Sequence, residues 1–137
     1  MSPDENKTIV RRYLETAWNK KDSTIVDELV APDFVQHAAN VPPGREGVKK
    51  FFQMVYSGIP DARFTLDNIM AEGEQVATRF RVSDTQSGPL LGIPPTGKSL
   101  TITGMALLIL REGKITENWN ELDMLGALRQ LGVIPKQ

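Results

Sequence analysis

Up to Tyr56 the apolar residues of this chain recur every three or four positions, and beyond Phe64 they recur every second one. Ile9, Val10, Tyr13, Leu14, Ala17 and Trp18 lie on one helical face, preceded by Ser2-Pro3-Asp4-Glu5. That tetrapeptide is a capping box: the serine oxygen accepts from the N3 amide, Glu5 returns the bond, and proline stands where no amide donor is needed. Lys20-Lys21-Asp22 ends the pattern. Ile25 and Leu29, one turn apart, predict a short second helix that stops before Pro32, because the residue preceding proline avoids the α region. Val48, Phe51, Phe52, Val55 and Tyr56 form a third helical stripe, entered through Gly44 and Gly47 and left at Gly58 and Pro60.

The period then changes to two. Phe64 and Leu66, and later Val76, Thr78, Phe80 and Val82, alternate with their neighbours, and turns fall at Glu72-Gly73-Glu74 and Glu112-Gly113. A meander of long antiparallel strands follows. Leu100 to Leu110 is apolar on both faces, which places that strand centrally. Three amphipathic helices against a curved sheet make a cone and predict an α+β class in which a strongly bent sheet can enclose a pocket, with a short C-terminal helix after Asp123. Neither a repeat nor a linker interrupts the pattern, so residues 1–137 are expected to form a single domain.

Charge narrows the partners. Sixteen basic against 17 acidic residues leave a net charge of −1, with no basic block to attract nucleic acid or a membrane surface. The longest apolar run, Met105 to Leu110, is far too short for a membrane span, and the expected location is the cytoplasm. With no cysteine and one histidine, thiol catalysis and structural zinc fall away, and neither a metal nor a cofactor is expected.

Gly92-Ile93-Pro94-Pro95-Thr96-Gly97-Lys98-Ser99 satisfies the Walker A pattern. A phosphate cradle needs consecutive backbone amides, two of which the prolines remove, and the segment leads into a strand where a P-loop opens a helix. A rigid Pro-Pro turn is the better reading. On the last strand Ile115, Glu117, Trp119, Glu121 and Asp123 share one parity, with Thr116, Asn118, Asn120 and Leu122 on the other. Glu121 and Asp123 are close enough for one carboxylate to raise the pKa of the other, as a base near neutrality requires. Asp123 is equally well placed to cap the following helix, a role that lowers its basicity. His37 follows the short extended run Phe34-Val35-Gln36, and Arg79 and Arg81 share a strand face that suits an anion or an ion pair.

Assembled, the runs "FVQH", "GREGVKKFF", "LGIPPTGK", "REGKITENWNELD" and "LRQLG" resemble, in order and spacing, the SnoaL-like polyketide cyclases and ester cyclases of the nuclear-transport-factor-2-like superfamily. The resemblance covers nearly the whole chain. It implies a cone-shaped α+β barrel with a deep apolar cavity, and a cofactor-free enzyme in which the aspartate of the W-x-x-x-D pattern, here Asp123, starts an intramolecular aldol closure. His37 would orient substrate or base. Trp119, Glu121, Phe34, Phe52 and Met105 would contact a hydrophobic small-molecule substrate. A homodimer or higher homo-oligomer, paired through the exposed sheet face, is implied as well. Such cyclases often carry a second histidine on the central sheet, and Leu100 to Leu110 has none. A cofactor-free isomerase, hydratase or hydroxylase, or a non-catalytic binding domain, is the alternative within the same fold.

Overall fold

The computed structural model describes residues 1–38, 41–90 and 92–134. Helix α1 (Pro3–Trp18) opens with the expected capping box: Glu5 N donates to Ser2 Oγ at 3.1 Å and Ser2 N to Glu5 Oε1 at 3.2 Å. Helix α2 (Ile25–Leu29) runs directly into strand β1 (Val30–His37), and α3 spans Gly44–Gly58. Strands β2 (Arg63–Glu72), β3 (Gln75–Thr85), β4 (Ser99–Arg111) and β5 (Lys114–Leu122) form the antiparallel meander, followed by α4 (Met124–Leu131). The two glycine turns carry positive φ at Gly73 and Gly113. Among the described residues no helix is long and apolar enough to cross a membrane.

The sheet order is β1-β5-β4-β3-β2. β4 is therefore central, as its two apolar faces require. One strand departs from the expected antiparallel sheet: β1 lies along the edge of β5 and runs parallel to it.

An aromatic cluster joins helices to sheet. Trp18 of α1 meets Phe52 of α3 edge-on at 5.3 Å and stacks on Phe64 of β2 at 5.6 Å, and Phe64 stacks on Phe80 of β3 at 5.2 Å. Such pairs add about 0.5–1.5 kcal/mol each beyond the area they bury. At the end of α1, Asn19 exchanges two bonds with the backbone of Phe64, at 2.8 and 3.0 Å, which fixes where β2 begins against the helix.

Side-chain amides complete the backbone pairing where strands stop. Gln130 of α4 accepts from Thr101 N at 2.7 Å and donates to Thr101 O at 2.8 Å, filling the place beside β4 that β5 vacates after Leu122. Fully buried Gln86 donates to the carbonyls of Ile93 and Pro94 and accepts from Thr96 N and Oγ1. The Pro-Pro turn is thus wrapped around a glutamine, and it leads into strand β4.

Candidate active site

The geometry of β5 decides which side chains meet. Ile115 pairs with Leu110, but the next partner of Ile109 is Glu117, so two residues of β5 oppose one of β4. This bulge at Thr116 reverses the alternation. Ile115 is buried inside with Leu110, whereas Glu117, Trp119 and Glu121 emerge on the outer face and Asn118 and Asn120 turn inward. The expectation that Ile115 shares a face with the later odd-numbered residues is corrected by that single extra residue, and Trp119, expected to contact substrate, stands on the outer face and not in the hollow within the cone.

Inside the cone lies a hollow of about 40 Å³. Its helical walls carry Tyr13, Trp18, Phe51 and Phe52, and its sheet wall carries Phe80, Ala106, Leu108, Asn118 and Asn120. Burial raises the Tyr13 hydroxyl far above its ordinary pKa, with a smaller contribution from neighbouring Tyr56. No carboxylate lines this hollow among the described residues.

The outer face holds a second and larger recess. Asp67, Arg79, Arg81, Thr103, Met105, Glu121 and Asp123 surround an open groove of about 840 Å³. Register explains the grouping: Arg79 pairs with Met105 and Met105 with Glu121, while Arg81 pairs with Thr103, whose carbonyl accepts from Asp123 N at 2.9 Å. Arg81 donates twice to Asp67, at 2.9 and 3.0 Å, and these bonds hold the Asp67 carboxyl below its usual range. Arg79 instead donates to the neutral side chain of Asn68 at 2.7 Å. Gly104 separates the two recesses, for a side chain there would meet Phe80 Cζ at 2.7 Å and Leu122 Cδ2 at 2.8 Å.

Asp123 occupies the N-cap of α4. Its Oδ1 accepts from Gly126 N at 2.9 Å and the residue is exposed. Oδ2 has no hydrogen-bond partner among the described residues. Met105 and Glu121 share the outer groove with it, whereas Phe52 lines the inner hollow and Phe34 is buried in the core. His37 pairs with Glu117 at 2.6 Å and stacks on Trp119 at 4.6 Å. Four residues of strand separate Trp119 from Asp123, roughly 13 Å, so His37 and Asp123 do not meet in this arrangement. The inward amides Asn118 and Asn120 were not among the expected site residues; their parity opposite Trp119 was the signal available.

The sequence profile of the SnoaL-like polyketide cyclase family matches residues 8–131. The chain belongs to that family. It is 29% identical over 121 residues to the nogalonic acid methyl ester cyclase of Streptomyces nogalater, covering 85% of this chain and 90% of that one. TsrD from Streptomyces laurentii superposes with a TM-score of 0.88 at 27% identity, over 98% of this chain and 99% of that one. IdmH from Streptomyces antibioticus is 33% identical with a TM-score of 0.77, over 96% and 99% of the two chains. The expected family and α+β fold are therefore both found.

Proposed function

We propose that this chain is a cofactor-independent enzyme of the polyketide-cyclase type, with Asp123 as the base that removes a proton beside a carbonyl of a hydrophobic small molecule. The observation that supports this reading is the outer groove, where the carboxylates of Asp123 and Glu121 stand beside Arg79, while Arg81 is paired with the third carboxylate, Asp67. A C–H between carbonyls is already acidic, and its enolate is spread over the substrate's own oxygens. The protein need supply only an acceptor oxygen, a positive group near the developing charge and a fixed orientation. Asp123 Oδ2 takes the proton, and the enolate carbon attacks a second carbonyl of the same molecule. A carbon–carbon bond forms while that carbonyl oxygen is protonated in turn, so no oxidant or further reactant enters.

Nogalonic acid methyl ester, named for the Streptomyces nogalater relative, is the first substrate to test. Asp123→Asn keeps a capping oxygen and removes the basic one. Loss of substrate consumption by at least a hundredfold at unchanged melting temperature supports the base. Consumption at the wild-type rate overturns it.

One observation favours a second reading. Asp123 Oδ1 accepts from Gly126 N at 2.9 Å, a bond that serves the start of α4 without any substrate. Asp123 would then be a cap alone, and the chain a binding domain for the same kind of molecule.

The same outer face supports a homodimer. Met70, Ala77, Leu107 and Trp119 form one row across four strands, continued by His37 on β1. Met70 is 67% and Trp119 39% exposed, a contiguous apolar surface of the kind that a second copy covers.

A further inference from the structure

We propose that Arg79 holds the ionised carboxylate of the substrate at one end of the outer groove, so that the molecule bound there is a hydrophobic acid whose charged end points away from Asp123. The inference rests on the reading that substrate occupies this groove, and it names the class of molecule the groove takes.

A bulge in β2 gives two neighbouring arginines unlike partners. Its register against β3 slips between Leu66 and Asn68, so that Asp67 and Asn68 both reach that strand. Arg81 donates through Nε and Nη2 to the two oxygens of Asp67, at 2.9 and 3.0 Å, whereas Arg79 donates through Nε to Asn68 Oδ1 at 2.7 Å. The first guanidinium is neutralised by a bidentate pair. The second is held by a neutral amide, and among the described residues no carboxylate lies within ion-pairing distance of it. Asp67 feels the Arg79 charge without bonding to it. A guanidinium carries its N–H donors in one rigid plane, and those on the terminal nitrogens of Arg79 meet no acceptor among the described residues. Asn68 thus orients Arg79 while leaving its charge and its outer edge for a ligand.

Register then sets the polarity of the groove. Arg79 pairs with Met105 and Met105 with Glu121. Two strand spacings, roughly 9.6 Å, separate the backbones of Arg79 and Glu121, more than the screening length of about 8 Å in physiological salt. A carboxylate seated on Arg79 therefore gains an ion pair and is little opposed by Glu121 or Asp123. Reversed, the same molecule would set its charge against both of them. Met105, 59% exposed between the two ends, offers an adaptable apolar surface to the body of the ligand. Opposite polarity at the two ends fixes the direction in which the molecule lies, and it leaves the uncharged end, with its C–H beside a carbonyl, at Asp123. An arginine suits the charged end because its planar fork matches a carboxylate through two parallel bonds.

The probes are 2-naphthoate and 2-naphthamide, which match in shape and differ in charge at neutral pH. Binding at low ionic strength is followed by calorimetry and by the NMR signal of Arg79 Nε–H. Wild type should bind the acid about fivefold more tightly than the amide, the upper end for an exposed ion pair, and the preference should shrink as salt is added. Arg79→Gln should bring it to near one. Asn68→Asp tests the same point without touching the arginine. It supplies Arg79 with a carboxylate of its own, as Asp67 does for Arg81, so it should also remove the preference while melting no lower than wild type. Equal binding of the two probes by wild type, binding of neither, or a preference that persists in either variant overturns the proposal. Asp123→Asn removes the proposed base, and the preference should survive in it, so failure of the base and failure of the anion site give different results.

Discussion

The carboxylate of Asp123 and the amide of Gly126 are joined at 2.9 Å, and a Cβ on that glycine would lie 2.3 Å from Asp123 Oδ2. The two residues therefore share one small volume at the start of α4. An aspartate cap is worth about 0.5–2 kcal/mol, so Asp123→Ala should lower stability by that amount in chemical denaturation, whereas Asp123→Asn should cost only a few tenths. Catalytic and capping roles separate in this comparison. If the carboxylate is the base, both variants lose turnover to a similar degree while only the alanine variant loses stability.

Gly104 is the thin point between the inner hollow and the outer groove. Its missing side chain admits the tip of Phe80, and Glu121 O would stand 2.8 Å from any added Cβ. That oxygen belongs to the backbone and has little room to yield. Gly104→Ala should therefore destabilise the fold by about 1–3 kcal/mol, the usual cost of overpacking. It should also disturb both recesses, visible in the NMR signals of residues that line them. Wild-type stability with undisturbed spectra would show that the sheet flexes there more easily than its packing implies.

Most of the architecture is legible in the sequence because it rests on local rules. The Ser2 to Glu5 box, the helical stripes, the glycine turns and the two-faced apolar strand from Leu100 to Leu110 each have a short-range physical signature. The faces of β5 are harder to read. Parity along a strand holds only while pairing is regular, and no residue type marks the bulge at Thr116 that turns Trp119 outward and Asn118 inward. Similarly, the sequence marks Phe34 as part of an extended run but not that this run adds to β5 in parallel, since that depends on a partner some eighty residues away. The W-x-x-x-D pattern draws attention to Asp123, yet its contact with Gly126 and its distance from His37 follow only from the assembled sheet.

The stack of His37 on Trp119 keeps that indole flat against the outer sheet, beside Leu107. If two copies pair across this row, Trp119→Glu places a charge within the interface, where an unpaired carboxylate is costly. Sedimentation should then show a dimer for wild type and a monomer for Trp119→Glu at the same concentration. Because Trp119 is 39% exposed in the single chain, the variant monomer should keep its circular dichroism. A wild-type monomer at high concentration would remove the pairing proposal.

The two tyrosines offer a test of the helical wall that needs no ligand. Burial raises the Tyr56 hydroxyl to about 12, with the charge of Asp22 adding to the effect, and burial raises Tyr13 further still. Tyr56 donates to the carbonyl of Ala17, which holds α3 against α1. In the unfolded chain both phenols ionise near their ordinary value of about 10. A raised pKa in the folded state means that the unfolded chain releases protons first as the solution becomes alkaline. The stability contributed by these neutral hydroxyls is thus complete below about pH 10 and declines as the pH rises through the folded values. Absorbance near 295 nm should show no phenolate at pH 10, then a steep rise that coincides with loss of circular dichroism. Tyr56→Phe should lose the bond to Ala17, at a cost of about 1 kcal/mol near neutrality, and should retain the alkaline transition caused by Tyr13. A gradual titration centred near pH 10 in the folded protein would place at least one of these hydroxyls in water and undo the packing described for the wall.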